Sequence, residues 1–223
     1  QSTDAAAAPA PPASAADELR VVAIPALEAA VAEPPGAVAA AVSESPPSIE
    51  FSWVGETARH VGIVTHRWLQ RIAADGVERW DAARVAALRE AVGRDLARRG
   101  IPVGEREAAR RRVLQALEGA TSDERGRWLL GAREGAVAEY RLRVAGPEGV
   151  KLIVIDRTFV ADGRRWIVDY KTSAHEGAEP ERFLDRELER YSAQLSGYAA
   201  AFPGENVALG LYFPLMKAWR ELA

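Results

Sequence analysis

The alternation of hydrophobic and polar positions is clearest in the middle of the chain. Alternating stretches lie at about residues 136–144, 150–160 and 165–171, and they predict three β-strands because successive side chains of a strand point to opposite faces. The dipeptide Asp162-Gly163 separates the last two stretches and favours a two-residue hairpin turn. A continuous apolar run at 207–213 predicts one further, buried strand.

Helical spacing of apolar residues occurs on both sides of these strands. It predicts helices over about 55–73, 81–99, 105–118 and 181–202, and a short helix that is capped at 121–123 and runs through 128–130. Helices, three strands, a long helix and a last strand follow one another along the chain. This order predicts an α/β fold with a mixed central sheet flanked by helices.

The first 50 residues differ in composition from the rest. They contain 17 Ala and eight of the 13 Pro, with seven acidic residues and one Arg. We expect residues 1–50 to be an acidic Ala/Pro-rich linker, largely extended or disordered, in which an apolar patch at 19–27 docks as a strand. Residues 51–223 form the predicted folded domain, with 28 basic and 25 acidic residues. A mildly basic domain is compatible with a polyanionic partner.

Several classes of protein are excluded by what the sequence lacks. The absence of cysteine excludes disulfides, thiolate metal sites and an iron–sulfur cluster. No apolar run is long enough to predict a membrane span, and no GxxxxGK[ST], GxSxG or HExxH motif is present. The chain starts at Gln1 without a basic leader or an initiating Met. We therefore expect a cytoplasmic protein and a fragment of a longer polypeptide.

The predicted hairpin carries the candidate chemistry. A two-residue turn at Asp162-Gly163 pairs Asp156 with Asp169, and opposed side chains of a sheet have Cβ atoms about 5 Å apart. Two carboxylates among apolar residues are costly unless a cation lies between them, and Mg²⁺ favours such oxygen ligands. Alternation places Lys171 on the same face as Asp169. This set predicts a metal-assisted hydrolase. The alternative is a surface salt bridge from either aspartate to Lys171 or Arg157, and a three-residue loop would shift the register by one.

Further polar residues lie on the predicted helices and on a neighbouring strand. His66 shares a helix face with Gly62, so its imidazole points towards the core as a packed side chain or as a ligand. Tyr191, Gln194 and Tyr198 form a stripe on the long helix, which is usually core packing, but a buried Gln194 amide needs hydrogen-bond partners. The roles of the remaining candidates stay open. Glu139 is a candidate third acid, and His60 and His175 are unassigned. The basic run Arg110-Arg111-Arg112 is either a solvated helix face or a contact to a phosphate backbone.

Four of these elements together resemble a known family. Asp156, followed thirteen positions later by Asp169-x-Lys171, resembles the PD-(D/E)XK nuclease superfamily. The GIVTHRWLQ segment with His66, the IDR…DYKT block and the Gln194-Leu195…Tyr198 element resemble its RecB-like branch, found at the C-terminus of AddA- and RecB-type (UvrD/Rep-family) helicase–nucleases. The resemblance covers about residues 51–223 and implies a restriction-endonuclease-like fold with extra N-terminal helices.

The resemblance also implies roles for the site residues. It implies that His66, Asp156, Asp169 and the Tyr170 carbonyl bind Mg²⁺ or Mn²⁺, without an iron–sulfur cluster. Lys171 would orient the attacking water. Gln194 and Tyr198 would position Lys171 or contact the DNA strand, and Tyr191 would do the same.

The resemblance further implies a metal-dependent deoxyribonuclease, expected to be an exonuclease, in DNA end processing and recombinational repair. The implied partners are DNA, single-stranded or at duplex ends, an upstream helicase domain of the same polypeptide, and an AddB-like subunit. Two alternatives remain open. One is a catalytically inactive nuclease-like DNA-binding module that assists a helicase, and the other is a metal-dependent hydrolase of small phosphoesters.

Overall fold

The structure is a computed structural model that describes residues 20–23, 49–146, 149–175 and 179–222. Most of the predicted linker at 1–50 therefore lies outside the described residues. Within that linker, residues Arg20–Ala23 form a short strand, β1, inside the apolar patch for which docking as a strand was predicted. None of the helices among the described residues combines the length and apolar character that a membrane-spanning helix needs.

Five helices and a short 3-10 turn precede the main strands, and one helix lies among the strands. They are α1 (Ile49–Asp75), the turn (Val77–Arg79), α2 (Ala82–Ala86), α3 (Arg89–Arg98), α4 (Val103–Ser122), α5 (Glu124–Leu130) and α6 (Pro180–Ala199). The single helix predicted over 81–99 is wrong, since α2 and α3 are separate. The predicted cap at 121–123 is confirmed, because the Asp123 carboxylate accepts a hydrogen bond from the Gly126 N–H.

The strands form one mixed sheet. Its main part comprises β2 (Glu134–Gly146), β3 (Gly149–Ala161), β4 (Arg164–Tyr170), β5 (Val207–Phe213) and β6 (Ala218–Leu222), in that order, with β1 parallel to β2 at one edge. Strands β4 and β5 are parallel, and the other pairs within the main part are antiparallel. The sequence reading missed β6, whose five residues are too short to give a distinct pattern.

The predicted hairpin turn is confirmed. Ala161 pairs with Arg164, and the ladder between β3 and β4 continues to the pair Arg157–Val168. Asp162 and Gly163 both have positive φ, 54° and 70°, as a two-residue type I′ turn requires. The ladder ends one pair before Asp156 and Asp169, so the predicted pairing of these two residues is not part of it.

Helices cover both faces of the sheet, which confirms the predicted mixed α/β architecture. One face packs against α1–α5 through a core that includes Phe159, Trp166, Val168 and Tyr212. The opposite face packs against α6 and the residues after it through Ile155, Ile167, Leu211 and Leu195. The C-terminal end of β4 therefore lies between α1 on one side and α6 on the other.

Candidate active site

The predicted site residues come from four elements and from the position directly after β4. His66 lies on α1, Asp156 on β3, and Asp169 and Tyr170 end β4. Lys171 follows β4 directly, and its backbone N–H donates to the Tyr212 carbonyl of β5 at 2.9 Å. Tyr191, Gln194 and Tyr198 lie on α6. The fold therefore brings to one end of β4 residues that are up to 132 positions apart in the sequence.

The facing of β3 changes at Asp156. Arg157 donates to the carbonyls of Leu129 and Gly131 on the α1–α5 side, at 3.1 and 2.9 Å, whereas Ile155 packs on the α6 side. Residues 155 and 157 of a regular strand would share one face, so the backbone is irregular between them. The paired strand β2 is irregular at the same level, where Glu139 has a φ of 53°. Such irregularities often re-aim a side chain next to an active site.

The carboxylate of Asp156 joins three elements. Its Oδ1 lies 3.1 Å from His66 Nδ1, and its Oδ2 accepts a hydrogen bond from the Tyr170 N–H at 2.8 Å. The other ring nitrogen of His66, Nε2, lies 2.9 Å from the Tyr170 carbonyl oxygen. His66, Asp156 and the Tyr170 carbonyl therefore lie together, and the His66 ring lies between the two oxygens.

A second group forms around Asp169. Its Oδ2 lies 2.9 Å from Lys171 Nζ, and its Oδ1 accepts a hydrogen bond from Gln194 Nε2 at 3.3 Å. The Gln194 amide also donates to the Tyr198 hydroxyl, which supplies the partners that the sequence demanded for it. The Lys171 ammonium lies 3.4 Å from the centre of the Tyr191 ring. The stripe on α6 therefore holds Asp169 and Lys171 in place.

The surface salt bridge considered as an alternative has a different form in the structure. Asp169 and Lys171 do pair, but their side chains are only 9% and 16% exposed. Asp156 binds His66, and Arg157 contacts carbonyls of α5 and the residue after it. A pair buried to this extent is costly, which is typical of a functional site.

The charges of this site shift the pKa values of its groups in opposite directions. Burial alone would lower the pKa of His66, but the charge and hydrogen bond of Asp156 outweigh it and raise that pKa to about 9. Burial would raise the pKa of Asp156, and the charge of His66 overrides it, so that the pKa is lowered. Burial and then the charge of Asp156 raise the pKa of Asp169 to about 6, although Lys171 opposes them. The site therefore combines one carboxyl group whose ionised form is favoured, Asp156, with one whose ionisation is opposed, Asp169.

Glu139 is a further acid at the site. One ligand atom each from His66, Glu139 and Asp156 lies within 4.8 Å of the others. Burial and then the charge of Asp156 raise the pKa of Glu139. The sequence left Glu139 open as a third acid. The signal that locates it is the pairing of Gly146 with Gly149, because counting back along both strands sets Glu139 opposite Asp156.

Three other contacts concern residues that the sequence singled out. Gly62 lies against the segment after Lys171, since a Cβ at Gly62 would be 3.4 Å from Thr172 Oγ1. Arg112, from the basic run on α4, donates to the Thr172 carbonyl at 3.1 Å, a contact that sequence reasoning missed. His175 stacks on Phe183, with ring centres 5.3 Å apart.

The residues present fit a divalent cation. Asp169 Oδ2 is buried and accepts no hydrogen bond from the described residues, and its contact with Lys171 is an ion pair outside hydrogen-bond geometry. Carboxylates, a backbone carbonyl and an imidazole are the donors that Mg²⁺ and Mn²⁺ accept. The donor set thus suits either ion and contains no thiolate.

Comparison with known proteins agrees with this geometry. Among curated proteins, no match to the chain is found. The family model of the PD-(D/E)XK nuclease superfamily matches residues 52–214, a range that contains every residue of the site described above. The chain therefore belongs to the PD-(D/E)XK nuclease superfamily.

Proposed function

We propose that this chain is a metal-dependent deoxyribonuclease that hydrolyses phosphodiester bonds with Mg²⁺ or Mn²⁺. The observation that carries the proposal is the convergence of His66, Asp156 and the Tyr170 carbonyl, with contacts of 3.1 and 2.9 Å, beside the buried pair of Asp169 and Lys171. His66, Asp156, Asp169 and the Tyr170 carbonyl would hold the ion, and Glu139 lies close enough to His66 and Asp156 to join them.

The residues divide the chemistry among them. A bound divalent ion supplies polarisation of a phosphodiester oxygen and a lowered pKa of water at the site. Lys171, held between Asp169 and the Tyr191 ring, orients the water and donates to the phosphate oxygen on which charge develops. Gln194 fixes Asp169 through one amide hydrogen bond and is itself tied to Tyr198. The reaction needs no covalent intermediate.

We further propose that the chain is the nuclease part of a helicase–nuclease. The support is the RecB-like order of His66, the IDR…DYKT block and Gln194-Leu195…Tyr198 in the sequence. In this setting the domain would act as an exonuclease on DNA ends or single strands during end processing and recombinational repair. An upstream helicase domain of the same polypeptide and an AddB-like subunit would be its partners.

The test is cleavage of linear DNA by the full chain with Mg²⁺ or Mn²⁺ and with EDTA. Asp169→Asn should decrease the rate of cleavage about a hundredfold or more, because it removes a cation ligand and the charged partner of Lys171. Asp185→Asn is the matched control, since Asp185 is 66% exposed and pairs with Arg220 on the surface. Cleavage that EDTA does not stop, or that Asp169→Asn leaves intact, would contradict the proposal.

A wild-type chain that binds DNA but never cleaves it would instead indicate the non-catalytic DNA-binding module. If the chain does cleave DNA, substrates labelled at the 5′ or the 3′ end give the polarity of cleavage. Internal labels and circular DNA separate exonuclease from endonuclease action.

A further inference from the structure

A basic groove lies between α1 and the pair α2–α3. Its volume is about 780 Å³, and five arginines line it: Arg67, Arg71, Arg84, Arg94 and Arg98. Two acids, Asp75 and Asp95, also line it, so that five positive and two negative charges leave a net charge of +3. We call this feature the arginine groove.

The helical sequence explains both the space and the charge. Ala74 of α1, Ala91 of α3 and Ala87, between α2 and α3, line the groove, and their methyl groups are too small to fill the space between the helices. Arg67 and Arg71 are four positions apart on α1, and Arg94 and Arg98 are four positions apart on α3. Residues at this spacing lie on one face of a helix, so that arginines from two helices border the same cleft.

The acids of the groove hold the arginines without neutralising all of them. Asp95 is 7% exposed and pairs with Arg67 at 3.8 Å and with Arg98, while the Trp68 indole donates to it at 3.1 Å. Asp75 pairs with Arg71 at 3.0 Å and with Arg84 at 3.4 Å. Among the described residues, Arg94 has no ion-pair partner. Each acid therefore serves two arginines, and the fifth arginine is left over.

The folding of the domain accounts for only part of this charge. Arg67 and Arg98 compensate the buried Asp95, whereas Arg71 is 66% exposed in its pair with Asp75, and such exposed pairs contribute little to stability. Two carboxylates do not balance five guanidinium groups, so a positive potential remains in the groove and attracts anions. Their concentration in the groove is what binding of a polyanion requires.

The groove and the active site share helix α1. Arg67, which lines the groove, directly follows His66, and the side chains of consecutive helical residues point in different directions, so that the two features lie on adjacent sides of this helix. The volume of about 780 Å³ equals that of a cube with an edge of about 9 Å, whereas the major groove of duplex DNA alone is about 12 Å wide. A groove of this size can admit a single strand but not a duplex.

We infer that the arginine groove binds the phosphate backbone of single-stranded DNA and leads the strand to or from the active site. The inference rests on the proposed nuclease function and extends it to the path of the substrate. Guanidinium groups contact phosphates, which carry no base identity. The groove therefore binds independently of sequence, and its affinity decreases with salt.

The test is equilibrium binding of a labelled oligothymidylate of about 16 nucleotides to the full chain, with EDTA to prevent cleavage and over a range of NaCl concentrations. The test variant is Arg67→Gln with Arg71→Gln and Arg94→Gln, which leaves Arg98 and Trp68 to hold Asp95. The logarithm of the binding constant falls linearly with the logarithm of the salt concentration, and each lost phosphate contact makes this slope less steep by about 0.7 for a single strand. We expect the slope to decrease by about 2 and the affinity at low salt to decrease about tenfold or more.

The matched control changes three arginines that lie around the far, turn end of β3 and β4: Arg125→Gln with Arg133→Gln and Arg164→Gln. Arg125 and Arg133 lie over the Trp128 ring and Arg164 over the Trp166 ring, away from the groove. The control loses the same charge and should keep the wild-type slope. If the triple groove variant is unfolded by circular dichroism, Arg94→Gln alone should lower the slope by about 0.7, because Arg94 has no ion pair to lose among the described residues.

Three results would overturn the inference. They are a wild-type chain that does not bind the oligonucleotide, a groove variant whose slope equals that of the control, and displacement of DNA by oligoglutamate as effectively as by unlabelled DNA, which would indicate an acidic protein partner. Failure of the nuclease proposal is separate, because it appears as cleavage that Asp169→Asn does not change. A short thymidine phosphodiester does not reach the groove, so the groove variant should cleave it at the wild-type rate. The same variant should cleave a long single strand more slowly than the wild type.

Discussion

At the scale of single residues, the site is defined by buried charged groups in contact with one another. His66 is shared between Asp156 and the Tyr170 carbonyl, and both of its ring nitrogens face oxygen atoms. The sequence singled out Asp156, Asp169 and Lys171 through their spacing and His66 through its resemblance to a family motif. It left Glu139 open, because the approach of this side chain to His66 depends on the pairing of β2 with β3 and on the packing of α1.

Glu139 should contribute to metal affinity. Glu139→Gln keeps the size of the side chain and removes the charge, so we expect Mn²⁺ to bind about tenfold more weakly. Isothermal titration with Mn²⁺ measures the effect, and Glu124→Gln, on an exposed position of α5, is the control. Equal affinities for both variants would exclude Glu139 from the metal site.

The raised pKa of His66 should make the metal-free protein less stable at alkaline pH. The folded-state pKa is about 9, against an ordinary value of 6.5. The stabilisation is therefore fully present below about pH 6.5 and is lost as the pH rises through 9. Asp169, with a pKa of about 6, is already ionised over most of this interval. In EDTA, the free energy of unfolding should fall between pH 6.5 and 9.

Denaturant titrations at several pH values measure this dependence. His66→Gln should remove most of the decrease in the free energy of unfolding between pH 6.5 and 9. His60→Gln, on the same helix, should keep this decrease. A wild-type stability that stays constant or rises over this interval would show that His66 is not held in its charged form.

At the scale of elements, the site residues are positioned mainly by turns and by contacts at the ends of strands and helices. The hairpin of β3 and β4 follows from its turn dipeptide, and the register of Ala161–Arg164 was predictable. The change of facing between Ile155 and Arg157 was not predictable, because it depends on carbonyls of α5 and the residue after it, which are distant in the sequence. Likewise, α4 holds the segment after Lys171 through Arg112.

The contact between Arg112 and Thr172 should position Lys171. Arg112→Gln removes the hydrogen bond to the Thr172 carbonyl, and small displacements of a catalytic group are costly. We expect kcat for DNA cleavage to decrease about tenfold, with KM little changed. Arg111→Gln is a matched neighbour on the exposed side of α4 and should cleave at the wild-type rate. Equal rates for the two variants, or a change confined to KM, would contradict a positioning role.

At the scale of the whole molecule, the active site joins the two helical layers. His66 comes from the α1–α5 side and Gln194 from the α6 side, so an ion held by His66, Asp156 and Asp169 would link both to the sheet. Binding to the folded state alone stabilises a protein by mass action.

Saturating Mn²⁺ should therefore stabilise the whole domain. At a concentration of one hundred times Kd the gain is about 2.7 kcal/mol, measurable by chemical unfolding with and without EDTA. Asp156→Asn should abolish the gain, whereas Asp185→Asn should keep it. Equal stabilisation of the Asp156 variant would place the ion elsewhere.

The sequence by itself determined the α/β class, the hairpin turn and the spacing of Asp156, Asp169 and Lys171, because these depend on periodicity and on distances within short segments. The tertiary structure alone decided that Gln194 donates to Asp169, that Glu139 approaches His66, and that arginines of α1 and α3 border one groove. The physical reason is distance along the chain. Local patterns fix the direction of a side chain within its own element, whereas the packing of elements far apart in sequence fixes which side chains meet.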